Sequence, residues 1–273
     1  MSDLMTELEF DKYKKLIYDS SGITFTTTNR SILESRLRER LRNATVKTAM
    51  DYFNLLVKDG EELKAFLDSV TTNLTRFFRN TAHIDTFEHY LIPDLIKAKR
   101  AQGSNSIKIW SAGCSTGEEP YTLAMVLQEK LPAGFDYQIT ASDISLKSLM
   151  IAKEGMYPEA RIGDSIPPAL LAKYFDKRET NYRIKDDLKK HIRFDYHNLK
   201  FDSGAKQLDV IFCRNVLIYF DLPAQKEVID RFYGALGPHS FLFIGHSESL
   251  FGMETKFEFL KTDWACIYQK EVK

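Results

Sequence analysis

The sequence predicts an α/β protein in which an all-helical amino-terminal domain precedes a doubly wound α/β domain. Three observations predict it. The first hundred residues contain no convincing strand run. Ile107–Met125 (IKIWSAGCSTGEEPYTLAM) passes from an apolar strand through a glycine-bearing loop into helical spacing, the opening of a ligand-binding α/β unit. Beyond it, apolar runs at Tyr137–Ala141, Leu208–Cys213 and Ser240–Ile244 alternate with helical patterns and end in polar residues.

Length and composition set the limits. The 273 residues suffice for one large domain or two ordinary ones, and 38 Lys and Arg balance 38 Asp and Glu. No global charge argues for nucleic acid or an anionic membrane, so charge recognition must come from a local patch. Met1–Tyr13 is too charged for a signal peptide, and no apolar run is long enough to span a bilayer. Cys114, Cys213 and Cys266 are far apart and odd in number, which indicates neither a disulfide framework nor a zinc site. A cytoplasmic protein with reduced thiols and no metal is expected.

In order along the chain, Phe10, Tyr13, Leu16 and Ile17 form a helical stripe that stops at Gly22. Ser31–Glu34 has capping-box spacing, and Leu33, Leu37 and Leu41 repeat behind it. Further helices are expected near Ala49–Val57 and Glu61–Ser69. The second helix is locally basic. Arg36, Arg38, Arg40 and Arg42 form either a solvated face laced by pairs such as Glu34–Arg38 or a docking surface for an acidic helical partner. Composition alone favours the solvated face.

Thr71–Asn80 (TTNLTRFFRN) crowds polar side chains beside Phe77, Phe78 and Arg79. It reads as a capped helix end with aromatics plugging a domain junction, or as a wall over a ligand with Arg79 reaching a carboxylate. A helix capped by Thr81 and bent at Pro93 then runs through Ile96 to the polar stretch Lys97–Ser106. The expected division is a helical domain over 1–71, a linker and connecting helix over 72–104, and the α/β domain over 105–273. Within the last, the three dozen residues after Gly155 exceed an ordinary connection, so a small subdomain is expected over about 156–191.

In the α/β domain, Glu118 and Glu119 stand where a pyrophosphate would need bare helix amides. Two carboxylates there suit a cationic or polyhydroxyl ligand such as S-adenosylmethionine, although this stretch alone fits an ordinary strand–loop–helix turn equally well. Asp143 ends the second strand, where doubly wound folds hold a ribose, while Ser145 is free to cap the next helix. Asn198 closes the strand in His191–Leu199, and Asn215 lies directly beyond the buried run Leu208–Cys213, at the expected crevice. A helix from Pro223 to Leu236 is stopped by Gly237-Pro238. His246, after Ser240–Ile244, reads as a hydrogen-bonded loop histidine, and a closing hairpin pairs Phe257–Leu260 with Ala265–Tyr268.

Taken together, these residues resemble the bacterial chemotaxis receptor methyltransferases, the CheR proteins. The resemblance rests on an ordered set spanning nearly the whole chain. It comprises Thr72–Thr75 with Phe77–Arg79, Trp110–Ala112 with Ser115–Tyr121, Ala141–Ile144, Phe212–Asp221 and Gly245–Glu248. It implies a Rossmann-like methyltransferase domain with a small inserted β-subdomain, preceded by an all-α domain. It implies transfer of a methyl group from S-adenosylmethionine to glutamate carboxylates of chemoreceptor helices, leaving S-adenosylhomocysteine. Asn73, Thr75, Arg79, Glu119, Asp143, Asn198, Leu199, Asn215 and Val216 match the family's cofactor-contacting positions. The family's arginine-bearing second helix faces acidic receptor helices, which raises the docking reading of Arg36–Arg42. The implied setting is a cytoplasmic monomer at chemoreceptor arrays, with the receptors' cytoplasmic helices as partner, no nucleic acid and no membrane insertion.

Two departures from the family pattern matter. Asn80 replaces an acid that often follows Arg79. Phe175–Tyr182 (FDKRETNY) is short and lacks the glycine-containing loop of members that tether to a receptor's carboxyl-terminal pentapeptide, so pentapeptide independence is expected. In the mechanism this suggests, Arg79 orients a carboxylate, Tyr219 aims an oxygen, and Phe77, Phe78 and Tyr219 form a dry wall. The competing functions are a methyltransferase of another protein or nucleic-acid substrate, an NAD-type oxidoreductase and a non-catalytic receptor-binding module. A glycine-rich phosphate turn, a basic catalytic face or missing cofactor contacts would mark them.

Overall fold

The computed structural model describes residues 4–71 and 73–270. Thr72, part of the Thr72–Thr75 motif, lies outside the described residues. The amino-terminal helices are α1 (Glu7–Ser21), α2 (Arg30–Asn43), α3 (Ala49–Lys58) and α4 (Gly60–Val70). A reciprocal cap between Thr6 and Glu9 starts α1, and Gly22, in the left-handed region at φ 77°, ends it. Phe10, Tyr13 and Ile17 from α1 pack with Leu33, Leu37 and Leu41 from α2 in one core.

Two expected features of α2 change. The helix starts at Arg30 rather than behind a Ser31 cap, because the Asn29 side chain accepts the Thr26 amide at 2.7 Å and closes the preceding turn. Glu34 pairs back with Arg30 at 3.0 Å rather than forward with Arg38.

The connector runs as α5 (Thr81–Asp85), π-helical turns over Thr86–Leu91, and α6 (Ile92–Ala101). Asn80, with φ 60°, takes the cap position expected of Thr81. Pro93 falls in the first turn of α6, where its missing N–H costs little, so the irregularity lies in the π turns before it.

A seven-stranded sheet follows. Its strands are β1 (Ser106–Ala112), β2 (Asp136–Asp143), β6 (Ile192–Tyr196), β7 (Leu208–Cys213), β8 (Leu236–Ile244), β9 (Glu258–Lys261) and β10 (Cys266–Lys270). Their order is β6-β2-β1-β7-β8-β10-β9, with β10 antiparallel to both its neighbours and every other adjacent pair parallel. The order reverses between β1 and β7, and in open α/β sheets ligands bind beyond the strand ends at that point. Helices α7 (Glu118–Lys130), α8 (Leu146–Glu154) and α12 (Leu222–Ala235) connect the strands. β7 is buried along its whole length, as a strand covered on both faces must be.

Gly237-Pro238 does not stop α12. The helix ends at Ala235 and both residues run inside β8, where a register shift opposite Leu208–Val210 absorbs them.

The inserted subdomain comprises β3 (Met156–Pro158), α9 (Glu159–Ile162), α10 (Pro168–Tyr174), β4 (Phe175–Arg178), β5 (Asn181–Ile184) and α11 (Asp186–Lys189). Its strands form an antiparallel sheet in the order β3-β5-β4. Among the described residues no helix is long and apolar enough to cross a membrane.

Candidate active site

One cleft opens beyond the strand tips at the sheet's reversal. Its floor is the β1–α7 turn, where two glycine constraints are visible. Gly113 has φ 82°, and a Cβ there would sit 2.4 Å from Val216 Cγ2, so the loops after β1 and β7 touch only because it has no side chain. Gly117, with φ 95°, forms the cap of α7.

All ten residues singled out for cofactor contact or catalysis line this cleft. Asn73, Thr75 and Arg79 come from the segment between α4 and α5. Glu119 comes from the first turn of α7, Asp143 from the tip of β2, Asn198 and Leu199 from behind β6, and Asn215, Val216 and Tyr219 from behind β7. Ser21, Ile23, Val70 and Thr71 of the helical domain close the opposite side.

The polar groups are held in place by one another. Glu119 Oε1 accepts the Ser111 hydroxyl at 2.7 Å, and Oε2 accepts Arg214 Nη1 at 3.2 Å. Asp143 is buried and accepts the amides of Ser115 and Ser145, at 2.7 and 2.8 Å. Burial pushes its carboxyl above the usual range, and those amides oppose the shift. Ser145 caps α8 through Ser148 N at 3.0 Å, so the helix needs nothing from Asp143. Asn198 uses its carboxamide nitrogen on Ser20 O, at 2.7 Å, and so ties the cleft to α1. Arg79 Nη1 donates to Leu74 O at 2.9 Å. Glu248 accepts Asn215 N at 2.9 Å and Ile218 N at 3.1 Å, joining the loops after β7 and β8.

Several expectations are corrected. Glu118 does not face the cleft. It is fully buried and turned toward the inserted subdomain, where Arg161 Nη1 meets it at 3.1 Å. Phe77 and Phe78 are not the dry wall. Phe77 is buried against Tyr157 and Phe175 of the insert, and Phe78 N donates to Thr122 Oγ1. The apolar lining comes instead from Ile23, Val70, Ile84, Ile144 and Phe220. His246 is an exposed loop residue. Arg40 points into the helical domain, where its guanidinium forks onto Glu62 at 2.6 Å to both oxygens and also meets Tyr52. Arg38 and Arg42 are exposed and Arg36 is half-buried beside Glu39, all on α2 and outside the cleft.

The residue that sequence reasoning missed is Arg214. It is buried, lines the cleft, pairs with Glu119 and donates to Arg79 O. Its Nε has no hydrogen-bond partner among the described residues. Burial lowers its pKa and the Glu119 carboxylate opposes that shift. The signal was available, since Arg214 is the first residue beyond the buried strand β7 and Asn215 the second, so both stand at the crevice.

The donor set defines what the cleft can hold. Two carboxylates, several carboxamides and three guanidiniums, those of Arg76, Arg79 and Arg214, suit a zwitterion with hydroxyl groups, and Glu119 blocks a pyrophosphate at the head of α7. Among the described residues no group of His, Cys, Asp and Glu side chains could hold a metal ion.

Residues 73–266 match the family model described as CheR methyltransferase, SAM binding domain, and residues 8–71 match CheR methyltransferase, all-alpha domain. A chemotaxis protein methyltransferase of Borreliella burgdorferi is 37% identical over 256 residues, covering 91% of this chain and 90% of the relative. Chemotaxis protein methyltransferase 2 of Pseudomonas aeruginosa is 37% identical, covering 89% and 87%. The chemotaxis protein methyltransferase of Escherichia coli is 35% identical, covering 93% and 88%.

Proposed function

The chain belongs to the CheR methyltransferase family, and from that premise we propose that it methylates glutamate side chains on the cytoplasmic helices of chemoreceptors. It is an S-adenosylmethionine-dependent methyltransferase of chemotaxis. The observation that carries the finer reading is the convergence of the ten residues, with Arg214, on one cleft between the helical domain and the strand tips.

The cofactor fits the donor set. Glu119 suits its ammonium, Asp143 its ribose hydroxyls, and the unpartnered Nε of Arg214 together with Arg79 its carboxylate. When bound, the cofactor supplies a methyl group on a positively charged sulfur. The chain's own residues then have three tasks. Arg79 and Tyr219, which line the cleft, orient the incoming carboxylate. Ile23, Ile84 and Phe220 exclude water, which strengthens charge interactions inside the cleft. The loop ties through Glu248 and Asp143 keep the two sides in register, and in-line holding of this kind supplies roughly 7–11 kcal/mol in favourable cases.

A general base is not required, because a glutamate carboxylate with a reference pKa of about 4.3 is ionised at neutral pH. The exposed His246 therefore has no proton to take. The exposed Arg38 and Arg42, with Arg36 beside them, form the docking face for the acidic receptor helix. The β4–β5 hairpin turns through Glu179 and Thr180 without glycine, which supports pentapeptide independence. Titration calorimetry with a receptor carboxyl-terminal pentapeptide should give no heat of binding. The working form is a cytoplasmic monomer at receptor arrays.

Transfer of labelled methyl from S-adenosylmethionine to a receptor cytoplasmic fragment, released as methanol by mild base, tests the whole reading. Label that survives base would assign the methyl to an acceptor other than a carboxylate.

A further inference from the structure

We propose that the inserted subdomain is a working part of the cofactor site, and that Arg161, seconded by Tyr157, is a positioning residue holding the Cys114–Glu118 turn in shape. The inference rests on the cofactor reading of the cleft given above.

The turn needs bracing. Ser115 sits at φ 50° although it is not glycine, a conformation that persists only when the surroundings impose it. On the cleft side its amide is held by Asp143 at 2.7 Å. On the far side the bracing comes from the insert. Tyr157 Oη donates to Thr116 O at 2.6 Å, and Arg161 Nη1 donates to Thr116 Oγ1 at 2.9 Å and to Glu118 Oε1 at 3.1 Å. Thr116 Oγ1 in turn donates to Glu118 Oε2 at 2.7 Å, which closes a ring of three side chains.

Glu118 makes this ring consequential. Its carboxylate is fully buried at the head of the helix that carries Glu119, and a buried carboxylate requires a cation and hydrogen-bond donors. Arg161, from α9, is the cation paired with it among the described residues. Helix α8 and the insert together leave no room for a side chain at position 117, where a Cβ would lie 2.9 Å from Ala152 Cβ of α8 and 3.0 Å from Tyr157 Oη of the insert.

The same subdomain supports the other wall. Phe77 lies edge-on to Tyr157 and Phe175, with ring centroids 5.0 and 5.6 Å away, between the cleft residues Thr75 and Arg79. Thr116, Glu118, Tyr157 and Arg161 do not themselves line the cleft, so they act by position and not by contact.

The test is titration calorimetry of S-adenosylhomocysteine with the full chain and with Arg161→Met, Arg161→Lys and Tyr157→Phe, alongside thermal melts. Arg161→Met is expected to weaken binding by roughly ten- to a hundredfold, the scale of a misplaced binding group, and Arg161→Lys to restore most of the loss. Tyr157→Phe, which deletes one hydroxyl and carries the test should Arg161→Met fail to fold, is expected to weaken binding severalfold with a near-native melt. Wild-type affinity in the folded variants, or no recovery in Arg161→Lys, overturns the inference while leaving the cofactor reading intact. Failure of the unmodified chain to bind overturns the cofactor reading itself.

Discussion

Arg214 and Glu119 show how a single pair governs the cleft. With Glu119 ion-paired on one oxygen and hydrogen-bonded to Ser111 on the other, its side chain is held in one orientation toward the cleft. Arg214→Met leaves that carboxylate without its cation, and losing a hydrogen bond to a charged group costs about 1.5–3 kcal/mol. S-adenosylhomocysteine should therefore bind roughly ten- to a hundredfold more weakly by calorimetry, and an unchanged Kd would remove Arg214 from the site. His83 is the second informative residue. It is buried against Phe243, and burial, with Arg214 and His246 adding to it, pulls its pKa from 6.5 to about 4. The unfolded chain takes up this proton below about pH 6.5 while the folded chain refuses it until about pH 4. The stabilisation is complete above pH 6.5 and is lost as pH falls through that window, by about 3 kcal/mol in all. Tm should fall from pH 7 to pH 5 more steeply in the parent than in His83→Leu; equal slopes would refute the assignment.

At the scale of elements, α2 divides its arginines between two tasks. Arg40 faces inward, and its fork onto Glu62 joins α2 to α4. Arg40→Ala should cost about 1–3 kcal/mol and lower Tm, with no change in the KM for a receptor fragment. Arg38 and Arg42 are exposed one turn apart, so the Arg38→Glu/Arg42→Glu variant should do the opposite. Its Tm should be near native, and its receptor KM should rise about tenfold at low salt and less at high salt. A KM that does not respond to the double reversal would move the docking face elsewhere.

The whole molecule is organised so that the cleft belongs to both domains. Lys200 Nζ donates to the carbonyls of Tyr18 and Asp19 at the carboxyl end of α1, a favourable place for a cation. Asn198 reaches Ser20 O, Thr24 N donates to Tyr219 O at 2.8 Å, and Ile23 bridges Phe220. A ligand in the cleft touches both sides and should stabilise them together. At about 100 times its Kd, S-adenosylhomocysteine should add about 2.7 kcal/mol, seen as a rise in Tm. Asn198→Ala should shrink that rise at the same ligand concentration, whereas an undiminished rise would show that the cleft does not depend on this tie.

What the sequence determined by itself follows from local physics. Strand, glycine loop and helix at Ile107–Met125, the leucine repeat of α2 and the polar tips of buried strands are all set by spacing and backbone freedom. They pointed to Glu119, Asp143, Asn198 and Asn215, the resemblance to the CheR proteins supplied the rest, and the structure gathers all ten into one cleft. Only the tertiary structure decided which way individual side chains point. Glu118 and Glu119 are neighbours on a helix, about 100° apart around its axis, so one reaches the cleft and the other the insert. Arg40 is indistinguishable in sequence from Arg38 and Arg42, yet Glu62, 22 positions away, draws it inward. Ion pairs and wall contacts of this kind join residues distant in the chain, and no local pattern encodes them.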